Sequence, residues 1–308
     1  MTLTCVAPVG DQCGEAATWS IGEQALYWTD VNCFLVHRMD WASRAVRTWL
    51  FDEPCVALFL TPTPGVLIVA LGSRLIVWTP NTDERRDFGF AERNWPEVRL
   101  NDGRPGPGGE IWIGSMANNV AADGAPGACE GFAGSLYRVC AGAQNRGRAG
   151  ALNRGRAGAQ ALVVKSGIGI ANTVCFSPDR RHFYFGDSKR NTIWRFDIKD
   201  GEIGNETVFF EGFDRGVPDG STVDAEGYLW NCRFGGGCVV RVAPNGGVDR
   251  IIEMPVSNIT TCEFGGPDLR TLFITTAAMM TPKYERLAGS LFALDVPAAG
   301  MAALAADI

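Results

Sequence analysis

Short continuous apolar runs recur along this chain, each ending in small or polar residues. In order they are Leu26-Tyr27-Trp28-Thr29-Asp30, Leu67-Ile68-Val69-Ala70-Leu71, Ile111-Trp112-Ile113-Gly114-Ser115, Phe183-Tyr184-Phe185-Gly186-Asp187, Leu229-Trp230-Asn231-Cys232-Arg233 and Leu272-Phe273-Ile274-Thr275-Thr276. Runs of this length, rich in aromatic and β-branched residues, predict strands. A second apolar run usually follows, as in Leu75-Ile76-Val77-Trp78, Leu136-Tyr137-Arg138-Val139, Ile193-Trp194-Arg195-Phe196-Asp197 and Val239-Val240-Arg241-Val242. Successive first runs start 41 to 46 residues apart, with one gap of 72. A period of about 40 to 50 residues with several strands in each is the signature of propeller blades. Six runs therefore predict an all-β, six-bladed β-propeller, with residues 1–308 as a single domain. A pair of β-sandwiches accounts for the period less well.

Turn signals punctuate the runs: Ser177-Pro178-Asp179, Asp224-Ala225-Glu226-Gly227, Pro244-Asn245-Gly246-Gly247 and Gly265-Gly266-Pro267-Asp268. The long gap contains a Gly/Ala/Pro loop over 117–133 and an Arg/Gly/Ala segment over 141–160. Within the latter, Ala141-Gly142-Ala143-Gln144-Asn145-Arg146-Gly147-Arg148 is nearly repeated by Ala149-Gly150-Ala151-Leu152-Asn153-Arg154-Gly155-Arg156. Such low-complexity sequence has nothing to bury and is read as a mobile surface insertion, an expanded hairpin loop in preference to an RNA-binding tract.

Composition narrows the function classes. The net charge of −6, with no stripe of Lys and Arg, argues against nucleic-acid binding, which depends on neutralising phosphates. No run approaches the apolar length of a membrane-spanning helix. The N-terminus, Met1-Thr2-Leu3-Thr4-Cys5-Val6, lacks the basic and apolar regions of a secretory leader, so the expected location is the cytoplasm. Ten scattered cysteines form no C-x-x-C pair, and most are read as small buried hydrophobes. The expected partner is a small neutral or polar molecule, bound by a monomer or weak homo-oligomer.

The chain has two histidines, His37 and His182, and no G-x-S-x-G, H-E-x-x-H, P-loop or strand-linked G-x-G-x-x-G motif. Chemistry must therefore rest on carboxylates, amides and arginine. Four clusters supply them: Gly14-Glu15-Ala16-Ala17-Thr18-Trp19, Arg99-Leu100-Asn101-Asp102-Gly103, Ile170-Ala171-Asn172-Thr173 and Pro218-Asp219-Gly220-Ser221. Oxygen donors of this kind suit a hard cation and leave positions open for water and substrate. Taken singly, each cluster also reads as an ordinary turn.

Together they resemble the regucalcin/gluconolactonase (senescence-marker-protein) family over nearly the whole chain. The resemblance is carried by Arg99–Gly103 leading to Gly109-Glu110-Ile111-Trp112-Ile113-Gly114-Ser115-Met116, and by Pro218-Asp219-Gly220-Ser221-Thr222-Val223-Asp224-Ala225-Glu226-Gly227-Tyr228-Leu229-Trp230. Asn172 before Ser177-Pro178-Asp179, and Cys262-Glu263-Phe264-Gly265-Gly266, add to it. It implies a six-bladed propeller with one divalent metal ion (Ca, Zn, Mn, Mg or Fe(II)) that hydrolyses a sugar lactone. By resemblance Glu15, Asn172 and Asp219 match the metal ligands, and Asp219 also matches the catalytic base. Arg99, Asn101 and Glu130 match substrate-contacting positions. The family pattern is broken at Ala16-Ala17, where Gly and Pro are usual, and at Thr173, where an Asn-Gly turn is usual. It is broken again at Gly106-Pro107-Gly108-Gly109-Glu110 and by the Arg-rich insertion. The alternatives are a non-catalytic calcium- or metal-binding regulator with the same ligands, and a protein-interaction propeller.

Overall fold

In this computed structural model the described residues are 2–141, 152–154 and 159–307. They form six antiparallel sheets, each a blade. Strand β1 (Leu3–Ala7) precedes the first. Blade 1 is β2 (Gly14–Ser20), β3 (Ala25–Asp30), β4 (Leu35–Asp40) and β5 (Val46–Leu50). Blade 2 is β6 (Cys55–Leu60), β7 (Leu67–Leu71), β8 (Arg74–Thr79) and β9 (Glu84–Ala91). Blade 3 is β10 (Val98–Pro105), β11 (Ile111–Ala117), β12 (Gly134–Cys140), β13 (Leu152–Arg154) and β14 (Gln160–Ile168), with β13 outermost. Blade 4 is β15 (Ala171–Phe176), β16 (His182–Asp187), β17 (Thr192–Lys199) and β18 (Glu202–Glu211). Blade 5 is β19 (Val217–Val223), β20 (Leu229–Phe234), β21 (Cys238–Val242) and β22 (Val248–Glu253). Blade 6 is β23 (Ile259–Gly265), β24 (Thr271–Thr276) and β25 (Leu291–Asp295), completed by β1. The two ends of the chain thus share one sheet, which closes the ring and removes an open edge. Among the described residues no helix is long and apolar enough to cross a membrane.

The six first runs read from the sequence are the second strands of the six blades. β3, β7 and β24 are buried at every residue because both sheet faces pack against neighbouring blades, which explains why these runs are continuous and not alternating. Trp28, Trp112, Trp230 and Phe273 are among the largest fully enclosed side chains. Each stabilises the fold by roughly 2–3 kcal/mol relative to exposure. Outward along each blade the pattern turns polar, as in the exposed β5 and β22. The Arg/Gly/Ala repeat lies outside the described residues except for Ala141 and β13, which pairs with β14.

The innermost strands β2, β6, β10, β15, β19 and β23 contact one another in a closed ring around the axis. Every one of them carries a register shift against its second strand: at Glu15/Thr18, Cys55/Ala57, Leu100/Gly103, Asn172/Cys175, Pro218/Ser221 and Ile259/Cys262. β-Bulges of this kind bend a strand and re-aim its side chains. Asn172 and Asp219 therefore sit inside strands, at bulges. Sequence composition alone suggested a turn at Asp219 and a position ahead of the strand for Asn172. His182 is the first residue of β16.

The opposite end of the axis holds a cavity of about 410 Å³ lined by the C-terminal halves of the same strands, among them Thr18, Arg104, Thr222 and Glu263. The chain's last residues strap across it. Gly300 bridges Asp224, Ala305 bridges Leu60, and Asp307 N donates to Gly109 O at 2.9 Å.

Candidate active site

Glu15, Asn172, Asp219, Arg99 and Asn101 gather at the N-terminal ends of the innermost strands. The approach to Glu15 is held by Asp30, whose buried carboxylate accepts from the backbone N–H groups of Gln12 (2.8 Å), Cys13 (3.1 Å), Asn32 (3.1 Å) and Cys33 (3.2 Å). Two of the candidate ligands are followed by a residue in the left-handed region: Ala16 at φ 56° after Glu15, and Thr173 at φ 55° after Asn172. These are two of the positions where the family pattern has glycine. A side chain at such φ is strained, a β-branched one most of all, and such strain concentrates at functional sites. Ala16→Gly is expected to raise stability by about 0.5–1 kcal/mol, read from the urea midpoint. A lower midpoint would show that the Ala16 methyl packs better than its backbone strains.

Each of the three candidate ligands has a backbone carbonyl beside it gripped by a side chain of the preceding blade. The Thr260 hydroxyl of blade 6 donates to Gly14 O, next to Glu15. Asn101 Nδ2 of blade 3 donates to Ala171 O at 2.8 Å, next to Asn172. The Thr173 hydroxyl of blade 4 donates to the carbonyl of Asp219 itself at 2.6 Å. The orientation of Asn172 is set by two further contacts. Its Nδ2 donates to Ser188 Oγ at 2.8 Å, and its Oδ1 accepts from Asn101 Nδ2 at 3.2 Å. Ser188 in turn donates to Pro218 O at 2.6 Å.

The electrostatics of the cluster are unbalanced. Burial holds the Glu15 carboxyl well above its ordinary range, and the charges of Asp219 and Asp102 push it further. Burial does the same to Asp219, reinforced by Asp102, although Asp219 lies close enough to Glu15 to hydrogen-bond with it. Asp102 is also raised by burial, against the pull of Arg104. Arg99 is the cation facing Glu15 and Asp219, and its own buried position weakens it as an acid-base partner. Glu15 and Asp219 thus meet one guanidinium, and Arg104, which pulls on Asp102, is itself paired with Glu263. Buried carboxylates short of positive charge, with an amide oxygen beside them, are the donor chemistry that a divalent cation satisfies. Among the described residues no three His, Cys, Asp or Glu side chains converge as a metal group.

Arg99 is buried, and four of its five N–H groups are engaged. Its Nη1 donates to Asn101 Oδ1 (2.6 Å) and Leu100 O (2.9 Å), and Nε and Nη2 both reach Asn119 Oδ1 (3.0 and 2.8 Å). Asn101 is consequently held at both ends of its amide. Glu130 stands apart from the other five. It is exposed on the loop before β12 and makes no hydrogen bond or ion pair among the described residues. That loop still borders the site, because Cys129 Sγ lies 3.8 Å from Gly169 O and Lys189 Nζ donates to Gly131 O at 3.0 Å.

Several contributors were not singled out from sequence: Asp102, Asn119, Thr173, Ser188 and Thr260. Asp102 lay within the Arg99–Gly103 cluster, and the acidic neighbour of an amide ligand is a usable signal. The hydroxyls carried none, because a threonine beside a turn is unremarkable until the next blade is placed against it.

The sequence pattern of the SMP-30/Gluconolactonase/LRE-like region matches residues 13–278. A 6-deoxy-6-sulfogluconolactonase of Pseudomonas putida is 32% identical, covering 98% of this chain and 97% of that protein. A pentonolactonase of Haloferax volcanii is 27% identical over 100% of this chain and 99% of its own. Among solved structures, a calcium-binding protein, regucalcin, from Agrobacterium tumefaciens superposes with a TM-score of 0.87 at 26% identity, covering 99% of this chain and 97% of that one.

Proposed function

This chain belongs to the SMP-30/gluconolactonase/LRE-like family, and we propose that it hydrolyses a sugar lactone to the aldonic acid at a divalent metal held by Glu15, Asn172 and Asp219. Lactone hydrolysis follows from the lactonases it matches along its full length. The observation that carries the metal is the convergence of buried, charge-starved carboxyls with the fixed Asn172 amide. When bound, a divalent ion supplies Lewis-acid polarisation of a carbonyl and a lowered pKa for water. Asp219 would accept the proton that an attacking water loses. Arg99 and Asn101, locked to each other and to Asn119, present a rigid polar wall for the sugar hydroxyls, and Glu130 offers an exposed carboxylate at the rim. A substrate wall held in place before binding loses little entropy when the substrate arrives.

A pH-stat panel of aldonolactones, with and without chelator and with the background opening subtracted, tests the reading. Hydrolysis that depends on added metal is expected. Full activity after chelation would refute the metal, and metal binding without turnover on any lactone would favour the regulator that the regucalcin likeness suggests.

The raised carboxyls also give a pH signature. A folded-state pKa above the unfolded value stabilises the fold below the ordinary carboxylate range and loses that contribution as pH rises through the raised value. Metal-free protein therefore loses the Glu15, Asp102 and Asp219 contributions as pH rises from the ordinary carboxylate range through the raised values, and a bound cation would offset that loss by stabilising the ionised carboxylates. The thermal shift on adding Mn²⁺ is expected to widen with pH. A shift independent of pH would place the metal elsewhere.

A further inference from the structure

Asp219 is held by more than its own strand. The Thr173 hydroxyl, fully buried, donates to Asp219 O at 2.6 Å and lies 2.9 Å from Ser221 Oγ. Asn231 Nδ2 donates to Ser221 Oγ at 2.9 Å, and Asn231 Oδ1 accepts from Arg233 Nη1 at 3.2 Å. A guanidinium only donates, so each proton in this series has one direction. Arg233 donates to the Asn231 carbonyl, the Asn231 amide donates to Ser221, Ser221 donates to Thr173, and Thr173 donates to Asp219 O. Hydrogen bonds aligned head to tail polarise one another, and here the series starts from a buried cation.

Arg233 is 1% exposed and has no carboxylate within ion-pairing distance among the described residues. Its remaining N–H groups go to neutral oxygens: Arg215 O (3.0 Å), Asn191 Oδ1 (2.6 Å), Phe213 O (3.2 Å) and Gly216 O (2.7 Å). The same guanidinium thus ties down the loop that leads into Pro218-Asp219 and starts the series that ends on Asp219. The last link sits at a position that disfavours it, since Thr173 is β-branched at φ 55°. Room for it comes from Gly186, where an added Cβ would lie 3.1 Å from Thr173 Cβ and 3.3 Å from its hydroxyl. Thr173 is thus a strained residue, accommodated by a facing glycine, whose hydroxyl ends a directional hydrogen-bond series.

We infer that Thr173 is a positioning residue for Asp219, its hydroxyl setting where the Asp219 carboxylate stands relative to Glu15 and Asn172. The inference rests on the reading of Asp219 as metal ligand and proton acceptor, and its test separates the two. Full-length wild type, Asp219→Ala, Thr173→Val, Thr173→Ser and Thr173→Gly are titrated with Mn²⁺ alone, with free metal counted by electron paramagnetic resonance. Valine keeps the shape and the backbone strain and removes only the hydroxyl. Serine keeps the hydroxyl, and glycine removes both the strain and the hydroxyl.

Asp219→Ala is expected to lose Mn²⁺ binding, and wild-type affinity in that variant would overturn the metal reading itself. Thr173→Val is expected to bind Mn²⁺ about 10-fold or more weakly and to lower kcat more than it raises KM. Thr173→Ser is expected to stay within about threefold of wild type, well short of that loss. Should the valine variant fail to fold, glycine decides, with an unfolding temperature at or above wild type in the metal-free state and affinity still about 10-fold weaker. Loss of binding in Asp219→Ala together with wild-type affinity in Thr173→Val or Thr173→Gly would overturn the positioning role. So would a Thr173→Val defect confined to the metal-free unfolding temperature.

Discussion

Asp219→Ala is expected to bring metal-dependent lactone hydrolysis down by about a thousandfold or more, to the background rate of spontaneous opening. This residue is asked to do two things, to hold the cation and to take a proton, and alanine does neither. Glu15→Gln is a milder lesion. It keeps an oxygen at the site and removes one charge, so affinity should fall while excess metal restores part of the rate. The stability readout runs the opposite way. Burial raises the proton affinity of both Glu15 and Asp219; the charges of Asp219 and Asp102 add to it at Glu15, and that of Asp102 adds to it at Asp219. Asp219→Asn removes one of the three charges at constant shape, and the metal-free variant should unfold at a higher temperature than wild type at pH 8, with little difference at pH 5. A variant that is both less active and less stable at pH 8 would mean that Asp219 is held by contacts the site geometry does not reveal.

The second large effect concerns stability. Arg104 of β10 crosses the axis to Glu263 of β23, which lies in the blade opposite, and its Nη2 donates to Ser221 O of β19 at 2.7 Å. Glu263 is 3% exposed and also accepts from Thr222 Oγ1 at 3.2 Å and Phe264 N at 2.9 Å. Burial would weaken Arg104 as a base, but the charge and hydrogen bond of Glu263 outweigh it, so Arg104 keeps its charge. Arg104→Met leaves a buried carboxylate without its cation and should cost about 3–5 kcal/mol, measured by urea denaturation. Adding Glu263→Gln should recover most of that loss, because the cost lies in the stranded charge. A single variant within about 1 kcal/mol of wild type would indicate that water entering the 410 Å³ cavity solvates Glu263 adequately.

The readable and unreadable parts of this chain divide by strand position in the blade. Second strands such as Leu67–Leu71 and Thr271–Thr276 are sandwiched on both faces, so their residues must be apolar, and their recurrence exposes the repeat. Innermost strands face a polar channel and a bulge. Val98–Pro105 contains Asn101-Asp102-Gly103, which local propensity reads as a turn and the neighbouring blades hold as a strand. β1 is five residues long and half-buried, and nothing in Leu3-Thr4-Cys5-Val6-Ala7 signals that its partner is Leu291–Asp295 at the other end of the chain.

The candidate site divides in the same way. Glu15, Asn172, Asp219, Arg99 and Asn101 each belong to a short pattern that the sequence displays, whereas Glu130 was named by the family resemblance alone. Their shared mouth was not legible, nor were Asp102, Arg233 or the hydroxyl of Thr173.

The sequence by itself determined the fold class, the blade count and the residue types that chemistry had to use. Those follow from burial and from which side chains are present, which are properties of single segments. Only the tertiary structure decided how the ring closes, which carboxyls crowd together short of positive charge, and which side chain of one blade grips the carbonyl of the next. Those depend on distances between segments that are remote in the chain, and the energy of a hydrogen bond or a buried charge is set by such distances.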